Sequence, residues 1–338
     1  MAGVSHQTVS RVINNSPEVA EATRALVQNA IAALDYHPNA HAVGLSRNRS
    51  DIVGVISQSI TSSFFAQIVD GIAEALQRQG RFMLLTCSDS VTQQESINML
   101  QHSRRIDGMI IILPLEASLE QARQLTKSRL PVVLVDLQYD LDANYISVNN
   151  FHGAYSATEY LIKLGHRRIG VIGGREELPV AQTRLDGYQA ALRYYGLTFD
   201  PALIVPGDFM PPSGETSVTR FLALEQRPTA LFACNDPMAF GAIGALRQHR
   251  LRVPADISVI GFDDIPEASH SSPPLTTIRQ PLWEMGKCAA EYVCQLIDGN
   301  AQERLQLTMA TELIVRRSAA PPPGTSVAAP ASLIHQER

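Results

Sequence analysis

Four polar side chains spaced over more than a third of the chain, Asp136, Arg184, Asn235 and Asp263, have the chemistry to grip a small polar molecule. Three of them end apolar runs, in VVLVD, LFACND and VIGFDD, and Arg184 opens RLDGY. A planar guanidinium and a carboxylate hold neighbouring hydroxyls through paired, charge-assisted hydrogen bonds. Phe209 in GDFMPPSG offers a stacking face, and Phe64-Phe65 follows the first apolar run. This combination suits a sugar. Competing readings stand beside it. Phe64 and Phe65 also fit a hydrophobic core, Asp236 before Pro237 fits a helix cap, and Asp264 fits a turn. Arg175 after Gly173-Gly174 is a secondary ligand candidate, although neither dinucleotide nor P-loop glycine spacing is present.

No catalytic constellation accompanies these residues. His102, His152, His166, His249 and His270 are isolated, with neither H-E-x-x-H nor G-x-S-x-G around them. Cys87, Cys234, Cys288 and Cys294 form no C-x-x-C pair, which argues against zinc or a disulfide framework. The chain therefore reads as a non-enzyme without cofactor or metal.

The elements that must position the site alternate between strand and helix. After Ser50 come strand 52–57, helix 65–79, strand 82–87, helix 93–104, strand 108–113, helix 119–128 and strand 131–136. A second series begins near Asn150, with helix 154–164, strand 168–172, helix 183–195, strand 203–206, helix 214–224 and strand 230–233. It continues with helix 237–249, strand 258–262, a loop through Thr277, helix 282–297 and strand 313–316. This is the pattern of two doubly wound α/β halves with a cleft between them, and ligands of such sheets sit at the carboxyl ends of the strands.

The first fifty residues differ. They carry a net charge of +1 against −6 for the rest, too weak a bias to indicate nucleic acid by itself. Ala2-Gly3-Val4 reads as a turn, and Ser5 as the N-cap of a short helix with Val9, Val12 and Ile13 on one face. Its other face holds His6, Gln7, Ser10 and Arg11, groups able to reach base edges and phosphates. An ordinary solvated face is the alternative. A helix over 18–34 follows, burying Val19, Leu26, Ala30, Ile31 and Leu34. Pro38 then ends it and opens a short element in which Asn39 is a cap and Ala42 and Leu45 share a face. Such a poor helix former orders only against a partner, or is a plain linker.

GVSHQTVSRVIN followed by LDYHPNAHAVGL resembles the head and hinge of the lactose repressor/galactose repressor (LacI/GalR) family. The resemblance implies a helix-turn-helix head (1–37), a hinge (38–50) and a periplasmic-binding-protein-like effector domain (51–318). The first subdomain is expected at about 51–149 plus 282–298 and the second at about 150–278 plus 305–318, with crossings near Asn149–Phe151 and Ile278–Leu282. DNA contacts are implied for Ser5, His6, Gln7, Ser10 and Arg11, and for Asn39, Ala42 and Leu45 of the hinge, with Leu45 as a minor-groove wedge. Effector contacts are implied for Phe64, Phe65, Asp136, Arg184, Phe209, Asn235 and Asp263. Within the family the aromatic pair also suits a nucleobase, while Arg184 and Asp263 favour a carbohydrate.

One departure stands out. Family members carry about a dozen residues, including a first helix, before the AGVS turn, so this head is expected to bind operator DNA weakly. A sugar-binding sensor that has lost DNA binding is the competing reading. The absence of an export signal or apolar span points to the cytoplasm. A Pro- and Ala-rich 319–338 without a leucine heptad suggests a disordered tail and a dimer. The expectation is a dimeric, effector-controlled repressor.

Overall fold

A computed structural model of the chain describes residues 2–13, 16–34, 49–88, 92–102, 105–112, 119–125 and 127–324. Asn39, Ala42 and Leu45 lie outside the described residues. The head consists of α1 (His6–Ile13) and α2 (Glu21–Ala33). Ser5 caps α1, its Oγ accepting from Thr8 N at 3.2 Å. The two helices meet on buried Val12 and Val27. Leu26 and Leu34, expected inside, are exposed: the inward stripe of α2 runs through Val27 instead.

The body is two six-stranded sheets. In the first, β1 (Ile52–Ser57), β2 (Phe82–Cys87), β3 (Gly108–Ile112), β4 (Val132–Val135), β5 (Tyr145–Val148) and β11 (Gln306–Met309) lie in the order β11-β5-β4-β3-β1-β2. In the second, β6 (Ile169–Ile172), β7 (Ile204–Val205), β8 (Ala230–Ala233), β9 (Ser258–Asp263), β10 (Thr276–Arg279) and β12 (Glu312–Ile314) lie in the order β12-β10-β9-β8-β6-β7. All pairings are parallel except β10 with β12. Each half thus repeats the doubly wound order in which strand direction of growth reverses once, leaving a crevice at the strand ends.

The first-sheet strands read as unbroken apolar runs because both faces are covered. Val53, Val55, Ile110, Ile112, Val133 and Val135 point into one core, and Ile56, Met109, Ile111 and Leu134 into the other. The first core is closed by α3 (Ser63–Arg78) and α11 (Leu282–Asp298), the second by α4 (Gln93–His102) and α5 (Leu119–Leu125). Where α3 crosses α11, a β-carbon on Gly71 would lie 2.0 Å from Trp283 O and one on Gly286 2.0 Å from Ile68 O, so the backbones touch only because both residues are glycine. The second half holds α6 (Asn150–Lys163), α7 (Pro179–Tyr194), α8 (Pro211–Leu222), α9 (Asp236–Gln248) and the short α10 (Pro266–His270) around one core.

The chain crosses between halves at 149–150, 280–281 and 310–311. The third crossing moves an expected boundary: 305–309, assigned above to the second half, contains β11, which pairs with β5 of the first. Short β5 and edge strand β11, whose residues alternate between exposed and half-buried, carry no apolar run to mark them. Residues 319–320, expected in a disordered tail, are fastened down. Ser258 Oγ donates to Ala320 O at 2.9 Å, and buried His166 bonds the same carbonyl through Nε2 at 2.9 Å. Because a carbonyl only accepts, Nε2 carries the proton and Nδ1 accepts from Thr229 Oγ1 at 2.8 Å.

Candidate effector cleft between the two halves

Between the carboxyl ends of the sheets lies a cavity of about 550 Å³, lined from the first half by Phe64, Phe65 and Asp136, and from the second by Arg184, Phe209 and Asp263. Asn235 also borders it. Sequence-derived candidates scattered over 200 residues thus converge on one cavity, within the size range of small-molecule sites.

Strand ends place the carboxylates. Asp136 follows β4 and Asp263 ends β9, both with positive φ (63° and 123°), so each strand turns sharply as it delivers its side chain. Arg184 does not open its helix as expected. It lies in the second turn of α7, because Pro179 starts the helix four residues before the expected 183. Its guanidinium is buried 3.7 Å above the Phe262 ring, and Nε donates to Asn150 Oδ1 at 2.9 Å while Nη1 donates to Cys234 O. Nη2 lies 3.8 Å from Asp263 Oδ1, beyond hydrogen-bond length.

A relay of amides joins these groups, and sequence reasoning missed it. Asn150 Nδ2 donates to Gln138 Oε1 at 3.0 Å, and Gln138 Nε2 donates to Asp136 Oδ1 at 2.6 Å. Gln280 Nε2 donates to Asp263 Oδ1 at 2.7 Å. Asn150 and Gln280 are residues of the first two crossings, so the segments that join the halves hold the site's charged groups. The only signal for Asn150 and Gln280 was their place at the two expected crossings; Gln138 carries no local motif.

Two candidates play other parts. Asn235 borders the cavity, yet its Oδ1 caps α9 by accepting from Met238 N at 3.0 Å and its Nδ2 donates to Phe209 O at 2.8 Å. It holds Phe209, whose φ of +67° is a left-handed conformation. Asp236, read as the cap, is buried and instead accepts from Ile265 N at 3.0 Å and from Thr277 Oγ1. Phe64 and Phe65 satisfy both readings: edge to face at 5.2 Å, they line the cavity and back onto the first core. Across the mouth, Ser63 Oγ of the first half donates to Glu267 of the second.

Burial sets the charge state. It raises Asp136 to about 6 against the opposing pull of Arg184, and Asp263 to about 7 against the same guanidinium. A folded value above the ordinary aspartate value near 4 means the native state binds the extra proton. The associated stability is full below about pH 4 and is lost as pH rises through about 7. The parent protein will therefore lose on the order of a few kcal/mol between pH 4 and 8 that Asp263→Asn does not lose. Thermal unfolding across that range checks it, and parallel curves for the two proteins would refute it.

Residues 1–39 match bacterial regulatory proteins of the lacI family, and residues 158–319 match the periplasmic binding protein-like domain. The HTH-type transcriptional repressor PurR of Haemophilus influenzae (strain PittEE) is 37% identical over 324 residues, covering 94% of this chain and 96% of its own. The repressor CytR of Escherichia coli (strain K12) is 36% identical over 322 residues, covering 94% and 93%. The lac repressor dimer bound to operator and the anti-inducer ONPF superposes with a TM-score of 0.83 at 31% identity, covering 94% of this chain and 96% of that one. A complex of the regulator CelR with cellobiose superposes with a TM-score of 0.73 at 33% identity, covering 94% and 97%. With head and body both matched and relatives alike over almost their whole length, the chain belongs to the LacI family of bacterial transcriptional regulators.

Proposed function

We propose that the cleft binds a carbohydrate, and that this binding sets the affinity of the head for operator DNA. The chain is a DNA-binding transcriptional repressor controlled by a small molecule, as its relatives PurR and CytR are repressors. The alternative of a sensor that has lost its DNA role is not favoured, since residues 1–39 match the lacI-family DNA-binding head. His6, Gln7 and Arg11 are exposed on α1, with Ser5 at its cap and Ser10 half-buried, and the first three are our candidates for base and phosphate contacts.

The observation that carries the ligand class is the pairing of Arg184 and Asp263 opposite aromatic faces. Arg184 Nη2 has no hydrogen bond at normal length to Asp263, so a hydroxyl bridging the two gains both partners. Phe64, Phe65 and Phe209 take the apolar face of a sugar ring. Among the solved relatives, CelR was captured with cellobiose and a regulator from Enterococcus faecium with ribose. Ligand contacts from both lips favour closure, and closure shifts the hinge segments that follow the head. An effector moves this equilibrium only by its difference in affinity for the two states, and release of DNA is the outcome we favour.

The dimer contact is assigned to the outer edge of the first sheet. Edge strand β2 carries Phe82, 71% exposed, and exposed Leu84, and nearby α4 carries exposed Met99. An unpaired apolar edge invites an identical partner, and the lac repressor relative was solved as a dimer. Phe82→Glu should shift the protein from dimer to monomer in sedimentation velocity, and an unchanged dimer would move the interface elsewhere. Calorimetric titration with pentoses, hexoses, disaccharides, nucleosides and purines tests the ligand. A sugar should bind the parent and lose at least tenfold in affinity with Arg184→Ala, whose dimerisation is preserved. Binding of a purine base alone, or unchanged affinity in the variant, would overturn this assignment.

A further inference from the structure

We propose a second small-molecule site, for a phosphorylated metabolite, on the second half at the end remote from the cleft, built by Arg247, Arg250 and Arg252. These arginines line a cavity of about 370 Å³ between the carboxyl end of α9, the loop 250–253 and the turn at Ser272-Pro273. That loop precedes β9 and that turn precedes β10, so the cavity lies at the amino ends of strands whose carboxyl ends face the cleft. A ligand there would be a second signal, independent of the first.

The three cations are not equivalent. Arg252 is fixed and neutralised: its backbone N, Nε and Nη2 donate to Asp256 at 2.7, 3.0 and 3.0 Å. Arg247 and Arg250 have no acidic partner among the described residues. They leave two guanidinium groups facing one small cavity, with Ser272 as a hydroxyl and Ile243 and Leu251 as an apolar floor. Forked guanidinium donors match the oxygens of a phosphoryl group, and the floor suits a short carbon skeleton.

The backbone singles out Arg250. Four other helices of the body end with glycine in the left-handed conformation: Gly80 after α3 (φ +66°), Gly165 after α6 (+103°), Gly196 after α7 (+67°) and Gly299 after α11 (+72°). Each closes the last turn with the same bond, as in Gly80 N to Gln77 O at 3.0 Å and Gly196 N to Arg193 O at 3.1 Å. Arg250 stands at the same place after α9, with φ +62° and its N bonded to Arg247 O at 2.9 Å. A β-carbon is strained here and glycine is not. The helix dipole accounts for a cation in the last turn, where Arg247 already stands. It gives no reason to put a strained arginine three residues on, whereas an anion held between the two does.

The test is a thermal-shift titration of the full chain with inorganic phosphate against sodium chloride of equal ionic strength. Phosphate should raise the melting temperature beyond the chloride control, with half-saturation in the millimolar range. Arg250→Gly should weaken that response at least tenfold while melting, without phosphate, no lower than the parent, because the substitution relieves backbone strain. Arg247→Gln should weaken it likewise, and Arg184→Ala, in the cleft, should leave it intact. No response beyond chloride in the parent, a parental response in Arg250→Gly, or its loss in Arg184→Ala would overturn the proposal.

Discussion

Everything in the cleft depends on one buried cation. Arg184 is almost inaccessible to solvent, stacked on Phe262 and hydrogen-bonded to Asn150 and to the Cys234 carbonyl. A charge removed from water is tolerable only when its donors are satisfied and an anion is near. Asp263 and Asp136 supply that anion, yet burial pulls both toward the neutral form, so the site sits between charge states at neutral pH. Arg184 Nη2 and Asp263 Oδ1, 3.8 Å apart, make no direct hydrogen bond, and the carbohydrate we propose would bridge them.

The partners of that centre lie on the segments that join the halves. Asn150 begins the helix at the first crossing and links Arg184 of the second half to Gln138 of the first; Gln280, at the second crossing, holds Asp263. A ligand that tightens these bonds acts on the segments about which the halves must turn. At the far end of the first half, the chain leaving the hinge is anchored by charge. Arg49 Nη1 donates to Asp298 at 2.9 Å, Arg81 Nη2 to the same carboxylate at 2.7 Å, and Ser50 N to Asp107 at 2.8 Å. Arg49 and Ser50 are thus bonded to Asp298 and Asp107 of the first half, the contacts through which we propose that closure reaches the head.

Strand ends were legible in the sequence wherever burial on both faces forces an unbroken apolar run, as in GMIII and SVIGFD, whereas α6 and α7 each begin four residues before the expected start. Because ligands gather at such ends, Asp136, Phe209, Asn235 and Asp263 stand out as candidates in the sequence, and all four border the cleft cavity. The relay through Gln138, Asn150 and Gln280 was not, since amides that bond to partners 2, 12, 17 and 34 residues away share no spacing that marks them in the sequence. The structural bonds of Asn235, which borders the cavity, were not legible for a related reason. A polar residue before a helix has two uses, and only geometry shows that its oxygen caps α9 while its nitrogen holds Phe209. The strands β5, β10 and β11 escaped, β10 having been read as part of a loop, because four residues at or next to a sheet edge carry too little pattern.

Hydrogen exchange of the full chain, with and without a sugar that binds, tests most directly whether the ligand draws the two halves together around Arg184. The account predicts new protection in segments from both lips, 58–65 and 209–211, together with the crossings at 149–151 and 279–282. Protection confined to one half, with the crossings unchanged, would contradict it.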